Sequence, residues 1–277
     1  MTANPLSSPW HSAWEEMEST QSFLEPPKSN YTADSPDHTR LVLMSDTHGK
    51  HRQVQLPAGD VLIHAGDFTK LGESHSVSDL CRLFQTCGFE EVICIAGNHD
   101  ISFHTSFYER TWDRFQPDKI NYAQVQRTLK ESCTYLEDSA YQTRKGNLIV
   151  YGSPWTPEFF DWAFNLPRGE PLLKKWQQIP TETDILITHG PPLGRGDLTL
   201  KSGRVGCLDL LQEVQERVKP RVHIFGHIHE DPGVSFDGQT LYCNAANCDL
   251  TYKARQSCIV VDVPRDRSEP ALLVENP

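Results

Sequence analysis

Asp46 and His48, Asp67, Asn98 and His99, His189, and His227 and His229 are residue types that bind metals or move protons, and each group follows a short apolar run. Leu41–Met44 leads into Ser45-Asp46-Thr47-His48-Gly49, Val61–Ala65 into Gly66-Asp67, and Val92–Ala96 into Gly97-Asn98-His99-Asp100. Ile185–Ile187 leads into Thr188-His189-Gly190-Pro191-Pro192, and Val222–Phe225 into Gly226-His227-Ile228-His229-Glu230. Carboxylate, imidazole and amide form a hard-to-borderline ligand set that suits Mn, Fe, Zn or Ni and not a thiolate site. Seven candidate ligands (Asp46, His48, Asp67, Asn98, His189, His227, His229) exceed the needs of one ion; two ions sharing one carboxylate would use them all. Two-metal sites, with ions roughly 3.5–4 Å apart, activate water and clamp phosphoryl oxygens for in-line displacement. Asp46 and His48, like His227 and His229, are spaced i, i+2, so in extended backbone each pair points to one side. Each motif alone is common in turns and loops; five in order, each after an apolar run, are hard to dismiss as chance. The remaining histidines, His11, His38, His51, His64, His75, His104 and His223, read as structural.

The runs that must position these groups are rich in β-branched residues and bounded by Gly, Asp or Pro. They read as strands at 41–44, 61–65, 92–96, 148–152, 185–188, 222–225 and 258–263. Val77, Leu80, Leu83 and Phe84 share one helical face, as do Leu208, Leu211, Val214 and Val218 in a helix that ends before Pro220. Near-continuous apolar strands alternating with helices imply sheets covered by helices. In such α/β folds sites gather at the carboxyl ends of strands, so groups far apart in sequence can converge. With no repeat and no linker after residue 40, residues 39–277 read as one α/β domain. Residues 1–38 read as a separate N-terminal segment: six acids against the single base Lys28, with five prolines and seven serines, favour extended or mobile chain. Trp10, Trp14 and Met17 fall at near-helical spacing, so a short helix from Ser12 docked on the domain is the alternative.

The 277 residues are 38% hydrophobic and 23% charged, which supports a globular core. Lys and Arg number 26 against 37 Asp and Glu, a net charge of −11. An acidic surface repels polyanions, so neither a nucleic-acid polymer nor an anionic membrane is an expected partner. No apolar run approaches the roughly 20 residues that span a bilayer. Met1–Pro5 lacks a charged-then-apolar start, so a soluble cytoplasmic protein is expected. The eight cysteines are scattered with no C-x-x-C pair; Cys94 and Cys258 sit in apolar runs and read as small buried hydrophobes, with all thiols reduced. Oligomeric state leaves no signal in the sequence.

The ordered set D-x-H, G-D, G-N-H-D, H and G-H-x-H resembles the metallophosphoesterase (calcineurin-like) superfamily. The likeness extends through Tyr151-Gly152-Ser153-Pro154-Trp155, Phe164-Asn165-Leu166-Pro167-Arg168-Gly169, Asp184–Gly194 and Arg204-Val205-Gly206-Cys207. Over residues about 40–264 it is similar to the metallophosphoesterase-domain-containing subgroup and to class III cyclic nucleotide phosphodiesterases. The resemblance implies a four-layer sandwich: two mixed β-sheets face to face, with helices outside. By analogy one metal is held by Asp46, His48, Asp67 and His229 and the other by Asp67, Asn98, His189 and His227, with Asp67 bridging and His99 facing the leaving group as the catalytic residue. One departure bears on substrate. Protein phosphatases of the superfamily extend the second motif to G-D-x-V-D-R-G, whereas this chain reads Gly66-Asp67-Phe68-Thr69-Lys70-Leu71-Gly72. The missing Asp and Arg argue against a phosphoprotein substrate and leave open whether Asp100 or another group orients His99.

The expected activity is hydrolysis of small phosphodiesters, cyclic nucleotides included, by in-line attack of a hydroxide bridging two divalent ions, manganese among the candidates. The alternative is a nucleotide-binding regulatory or scaffold protein with slow hydrolysis. Trp155, Phe159, Phe160, Trp162, Phe164 and Trp176 crowd the 154–176 stretch, either as a rim that stacks a nucleobase or as core under a long loop. Arg168, Arg195 and Arg204 have the chemistry to meet a phosphate, but read first as ordinary surface arginines.

Overall fold

The structure, a computed structural model, describes residues 9–32 and 35–275; Met1–Pro5 and the side chain of Trp10 lie outside the described set. The strands of its two large sheets, in chain order, are β1 His38–Met44, β2 Val61–His64, β3 Glu91–Cys94, β4 Thr134–Tyr135, β5 Ser139–Gln142 and β6 Ile149–Ser153. There follow β7 Ile185–Thr188, β8 Val222–Phe225, β9 Gly233–Phe236, β10 Leu241–Asn244, β11 Ile259–Pro264 and β12 Leu272–Leu273. They form two six-stranded sheets, β12-β11-β1-β2-β3-β4 and β9-β10-β8-β7-β6-β5. Both are mixed. β1 to β4 run parallel with Val42 opposite Leu62 and Leu62 opposite Val92, while β11 joins β1 antiparallel. In the second sheet β6, β7, β8 and β10 are parallel, and β5 and β9 close the edges antiparallel.

Side-chain alternation along the strands sorts the layers. Leu41, Leu43, Ile63 and Ile93 of the first sheet pack against Val150, Ile185, Ile187, Val222 and Ile224 of the second, so one core lies between the sheets. The intervening residues Val42, Met44, Leu62 and Cys94 face outward against Val77, Leu80, Phe84, Phe107 and Leu129, carried by helices α2 Ser74–Thr86, α3 Thr105–Phe115 and α4 Tyr122–Lys130. Tyr151, Leu186, Phe225 and Tyr242 face the other way, against Leu172, Trp176, Leu210 and Val214 from α5 Glu170–Trp176 and α6 Leu208–Gln212 with its continuation. Helix, sheet, sheet, helix: the four layers follow from period-2 strands that are apolar on both faces. Each fully buried Leu, Ile or Val contributes about 1.5–3 kcal/mol of burial free energy. The helix expected up to Pro220 is α-helical only to Gln212; residues Glu213–Val218 wind as a π-helix, and Lys219 at φ 51° ends it before Pro220.

Where described, residues 9–32 lie along the domain. α1 (Pro9–Met17) begins three residues before Ser12, the start expected of a docked helix, and buries Trp14 against Leu193 and Leu211. The ring lies on Gly194, where a Cβ would stand 1.7 Å from it. Beyond α1, Leu24 bridges to Phe236 on the edge of one sheet and Lys28 to Leu273 on the edge of the other. This N-terminal strap covers one of the three arginines. Arg195 is not a surface residue: it is fully buried, with Phe23 of the strap 4.1 Å from its guanidinium and Tyr242 4.8 Å away, and it donates to the Ser22 carbonyl at 2.9 Å. Arg204 pairs with Asp197 at 2.7 Å, and Arg168 donates to the Gly206 carbonyl at 2.7 Å. All eight cysteines are free, with Cys94 and Cys258 buried as their apolar runs require. Among the described residues no helix is long and apolar enough to cross a membrane.

Candidate metal centre

Asp46 follows β1, Asp67 follows β2, and Asn98 and His99 follow β3; His189 follows β7, and His227 and His229 follow β8. Both sheets therefore deliver their parallel strands' carboxyl ends to one edge of the sandwich. Asn247, just past β10, locks the sheets there: its amide donates to the Ser45 carbonyl at 2.9 Å and its side-chain oxygen accepts from the Ser45 amide at 3.2 Å.

The backbone at the site is not extended. Asp46, His48, Asp67 and His227 have φ of 52°, 43°, 54° and 67°, in the left-handed region. Each such non-glycine residue costs on the order of 1–3 kcal/mol and persists only where its surroundings fix it. Here the Asp46 amide donates to Gly66, the His48 amide to Asp67 and the His227 amide to the Asp46 carboxylate, at 2.8–2.9 Å. The expectation that i, i+2 pairs point to one side in extended chain is therefore corrected. Asp46 and His48 do meet, through consecutive tight turns. The left-handed turn at His227 sends it to Asp67 and His189, while His229 joins Asp46 and His48. Gly226 is what this packing demands, since a Cβ there would lie 1.9 Å from the Asp46 carboxylate.

Two groups of ligand atoms result, overlapped by a third made of His48, Asp67 and His99. In the first, His229 Nε2 is 3.2 Å from Asp46 Oδ1 and 3.2 Å from His48 Nε2. In the second, His189 Nε2 is 3.4 Å from Asp67 Oδ2 and 3.0 Å from Asn98 Oδ1, with His227 beside them. Asp67 Oδ2 is also 3.8 Å from His48 Nε2, so its carboxylate stands between the groups. The tautomers are fixed from outside. Nδ1–H of His48 donates to the Thr69 carbonyl, of His189 to Ala65 and of His229 to Asp249, at 2.9–3.2 Å. Each Nε2 lone pair is thereby turned inward, the arrangement typical of metal-bound histidines. Once His229 gives up its proton, the Nε2 lone pairs of His48 and His229 would face each other, a contact that a bound cation would relieve. Metal–ligand bonds of about 2.0–2.2 Å set neighbouring donor atoms roughly 3.0–3.5 Å apart. The donor set fits two divalent ions.

Electrostatics point the same way. Burial pushes the Asp67 carboxyl up, but the charges of His189 and His99 outweigh it and hold it well below the usual carboxylate range. Asp46 is held low against the same burial by its hydrogen bond to His229. Burial alone would depress His189 and His229; Asp67 and Asp46 respectively pull them up to about 9. Burial brings His48 down to about 4 and His227 to about 3. Two buried carboxylates thus demand positive charge, which divalent ions held by these residues would supply in place of the imidazole protons.

His99 stands beside both groups, within 4.8 Å of His48 and Asp67 ligand atoms. Its amide donates to Asp67 Oδ1 at 2.8 Å, its Nδ1–H donates to the Lys70 carbonyl at 2.7 Å, and its ring stacks on Trp162 at 4.2 Å. Lys70 and Trp162 therefore orient His99. Asp100 does not: its carboxylate accepts from the Gly97 and Thr69 amides and the Thr69 hydroxyl, tying this loop to the one after β2.

Two of the histidines read as structural brace the ligand loops: His64 bonds Thr47 between two ligands, and His223 bonds Thr188 next to His189 at 2.8 Å. Burial pushes His223 from 6.5 down to about 3. The unfolded chain then takes up this proton first as pH falls through about 6.5, so stability is lost from there toward pH 3. His223→Gln is expected to flatten the slope of unfolding free energy against pH, measured by urea titration at pH 7, 6 and 5, by up to about 1.4 kcal/mol per pH unit. An unchanged slope would contradict the buried neutral imidazole.

The aromatic stretch divides. Phe164 and Trp176 are fully buried, and Trp155 packs half-buried under Lys175 with Nε1–H donated to Asp138 at 2.9 Å. Trp162 reaches the site through His99. Tyr252, which no motif marks, lies edge-on to His48 at 4.7 Å.

Residues 39–231 match the family model of the calcineurin-like phosphoesterases. The chain belongs to that family. It is 46% identical over 244 residues to metallophosphoesterase domain-containing protein 1 of Homo sapiens, covering 84% of this chain and 73% of that one. It is 36% identical over 272 residues to the UPF0046 protein C25E10.12 of Caenorhabditis elegans, covering 94% of each. Among solved structures, TT1561 of Thermus thermophilus superposes with a TM-score of 0.51 at 13% identity, over 85% of this chain and 98% of the other, a likeness of fold alone. As a metallophosphoesterase the chain is a hydrolase of phosphoric esters, from a family that typically binds a dinuclear metal centre.

Proposed function

We propose that this metallophosphoesterase hydrolyses small phosphodiesters, cyclic nucleotides among them, as a cytoplasmic enzyme loaded with two divalent ions such as manganese. Asp46, His48, Asp67 and His229 would hold one ion and Asp67, Asn98, His189 and His227 the other. Bound there, the ions lower the pKa of water and offset charge on phosphoryl oxygens. The observation that carries the reading is the Asp67 carboxylate between the two ligand groups, with His99 alongside. His99 has Nδ1–H committed to Lys70, so Nε2 is the nitrogen left to pass a proton to the departing ester oxygen. The loop after Asp67 favours a small substrate: where the protein phosphatases carry Asp and Arg, Lys70 turns its carbonyl to His99 and Leu71 gives its carbonyl to Gln116. The net charge of −11 disfavours polyanionic partners.

With Mn²⁺ in excess, a side-by-side panel of cyclic nucleotides, an aryl phosphodiester, a phosphopeptide and duplex DNA tests this. Turnover of the first two is expected to exceed that of the others by at least tenfold. Preference for phosphopeptide or DNA would overturn the proposal, and tight nucleotide binding without turnover would replace it with a binding role.

A further inference from the structure

Two loops stand at the mouth of the metal centre, and both carry apolar side chains into solvent. One ends in Trp162, stacked on His99, and the residues before it, Phe159 and Phe160, are 58% and 75% exposed. The other holds Leu250, 54% exposed, and Tyr252, 40% exposed, whose ring meets His48 at 4.7 Å, His229 at 5.7 Å and His99 at 6.3 Å. These four are half of the eight large apolar residues exposed among the described residues. Apolar surface left in water beside convergent polar groups marks a place where a ligand is covered.

Tyr252 is built into place. Its φ of 56° is a left-handed conformation that an aromatic residue adopts only under constraint. The constraint is Asp249. The Asp249 carbonyl accepts from the Tyr252 amide at 2.9 Å and from His229 Nδ1–H at 3.2 Å. Its carboxylate accepts from the Thr251 amide and hydroxyl, the Lys253 amide and the Arg255 guanidinium, at 2.6–3.2 Å. One residue thus sets the tautomer of a candidate ligand and aims an exposed ring at the same centre.

We propose that Tyr252 determines specificity by holding an aromatic arm of the phosphoester, a nucleobase or aryl ring, against the mouth while the phosphoryl group occupies the metal centre. The inference rests on the phosphodiesterase reading and names the substrate class within it. A neutral planar ring gains from Tyr252 what a sugar phosphate or an alkyl ester does not.

Bis(p-nitrophenyl) phosphate and methyl p-nitrophenyl phosphate share a leaving group and differ in the second arm. In Tyr252→Ala the ratio of their KM values is expected to shift against the diaryl ester by roughly 3- to 10-fold, with recovery in Tyr252→Phe. A second readout needs no turnover. Calorimetric affinity of the Mn²⁺-loaded protein for adenosine 5′-monophosphate, relative to ribose 5-phosphate, is expected to fall by a similar factor. Metal content by elemental analysis is expected to match the wild type, which separates loss of the ring from collapse of the His229 side. Equal weakening of both esters, or an unaltered affinity ratio, would overturn the role of Tyr252. If the wild type turns over no diester, the function reading fails, while the affinity ratio still decides the role of the ring.

Discussion

Asp67→Ala is expected to strip both halves of the metal centre, so that elemental analysis finds about two divalent ions per wild-type chain and close to none in the variant. The expectation comes from position. Asp67 Oδ2 lies 3.4 Å from His189 Nε2 and 3.8 Å from His48 Nε2, and those histidines belong to different groups. Without the carboxylate each group keeps mostly neutral donors in a buried place, where an uncompensated divalent charge is costly. Hydrolysis then falls to the metal-free level, a loss on the order of 10⁴-fold or more. His227→Ala touches only one group and is expected to lose about one ion. Asp67→Asn keeps an acceptor for the His99 amide, which now bonds Asp67 Oδ1 at 2.8 Å, and so separates loss of charge from loss of that turn. Wild-type stoichiometry in Asp67→Ala would remove the shared carboxylate from the scheme. Two ions in His227→Ala would do the same for the division of ligands.

The convergence of the candidate ligands was readable because they sit where apolar runs stop. Seven runs became β1, β2, β3, β6, β7, β8 and β11, and convergence followed from parallel strands ending at one edge. The strands left unread are of another kind. β5 and β9 lie at sheet edges, half exposed, and Leu241–Asn244 is fully buried yet mixes Tyr, Cys and Asn, so neither gives a continuous apolar signal. Backbone conformation was also out of reach. The i, i+2 spacing suggested a pair on one side, but it cannot reveal that Asp46, His48 and His227 are left-handed, because long-range hydrogen bonds decide that.

Groups that act through backbone atoms escape a sequence reading for the same reason. The carbonyls of Lys70 and Asp249, which aim His99 and His229, belong to residues of no special type. Tyr252 comes after the last motif, and only its left-handed turn brings it back to the site. The aromatic stretch could not be divided from its sequence: Trp155 is tied to Asp138, whereas Trp162, seven residues on, stacks on His99.

His99→Ala is expected to keep both ions and lower kcat by roughly 10²–10⁴-fold, the usual loss when a positioned general acid is removed. The metal content follows from the proposed assignment, in which Asp46, His48, Asp67 and His229 would hold one ion and Asp67, Asn98, His189 and His227 the other, leaving His99 outside both sets. The loss should depend on the leaving group. A poor alkoxide needs a proton as the ester bond breaks, whereas p-nitrophenolate departs without one, so the defect should shrink by at least tenfold for the nitrophenyl ester. A defect of equal size on both substrates would mean that the imidazole stabilises charge rather than transferring a proton. Trp162→Ala extends the test to orientation. It leaves the Lys70 hydrogen bond at 2.7 Å but removes the ring stacked 4.2 Å from His99. A positioning role predicts a fall in kcat smaller than that of His99→Ala, again greater for poor leaving groups, and no further loss in the double variant. Additive losses would show that Trp162 acts on the substrate and not through His99.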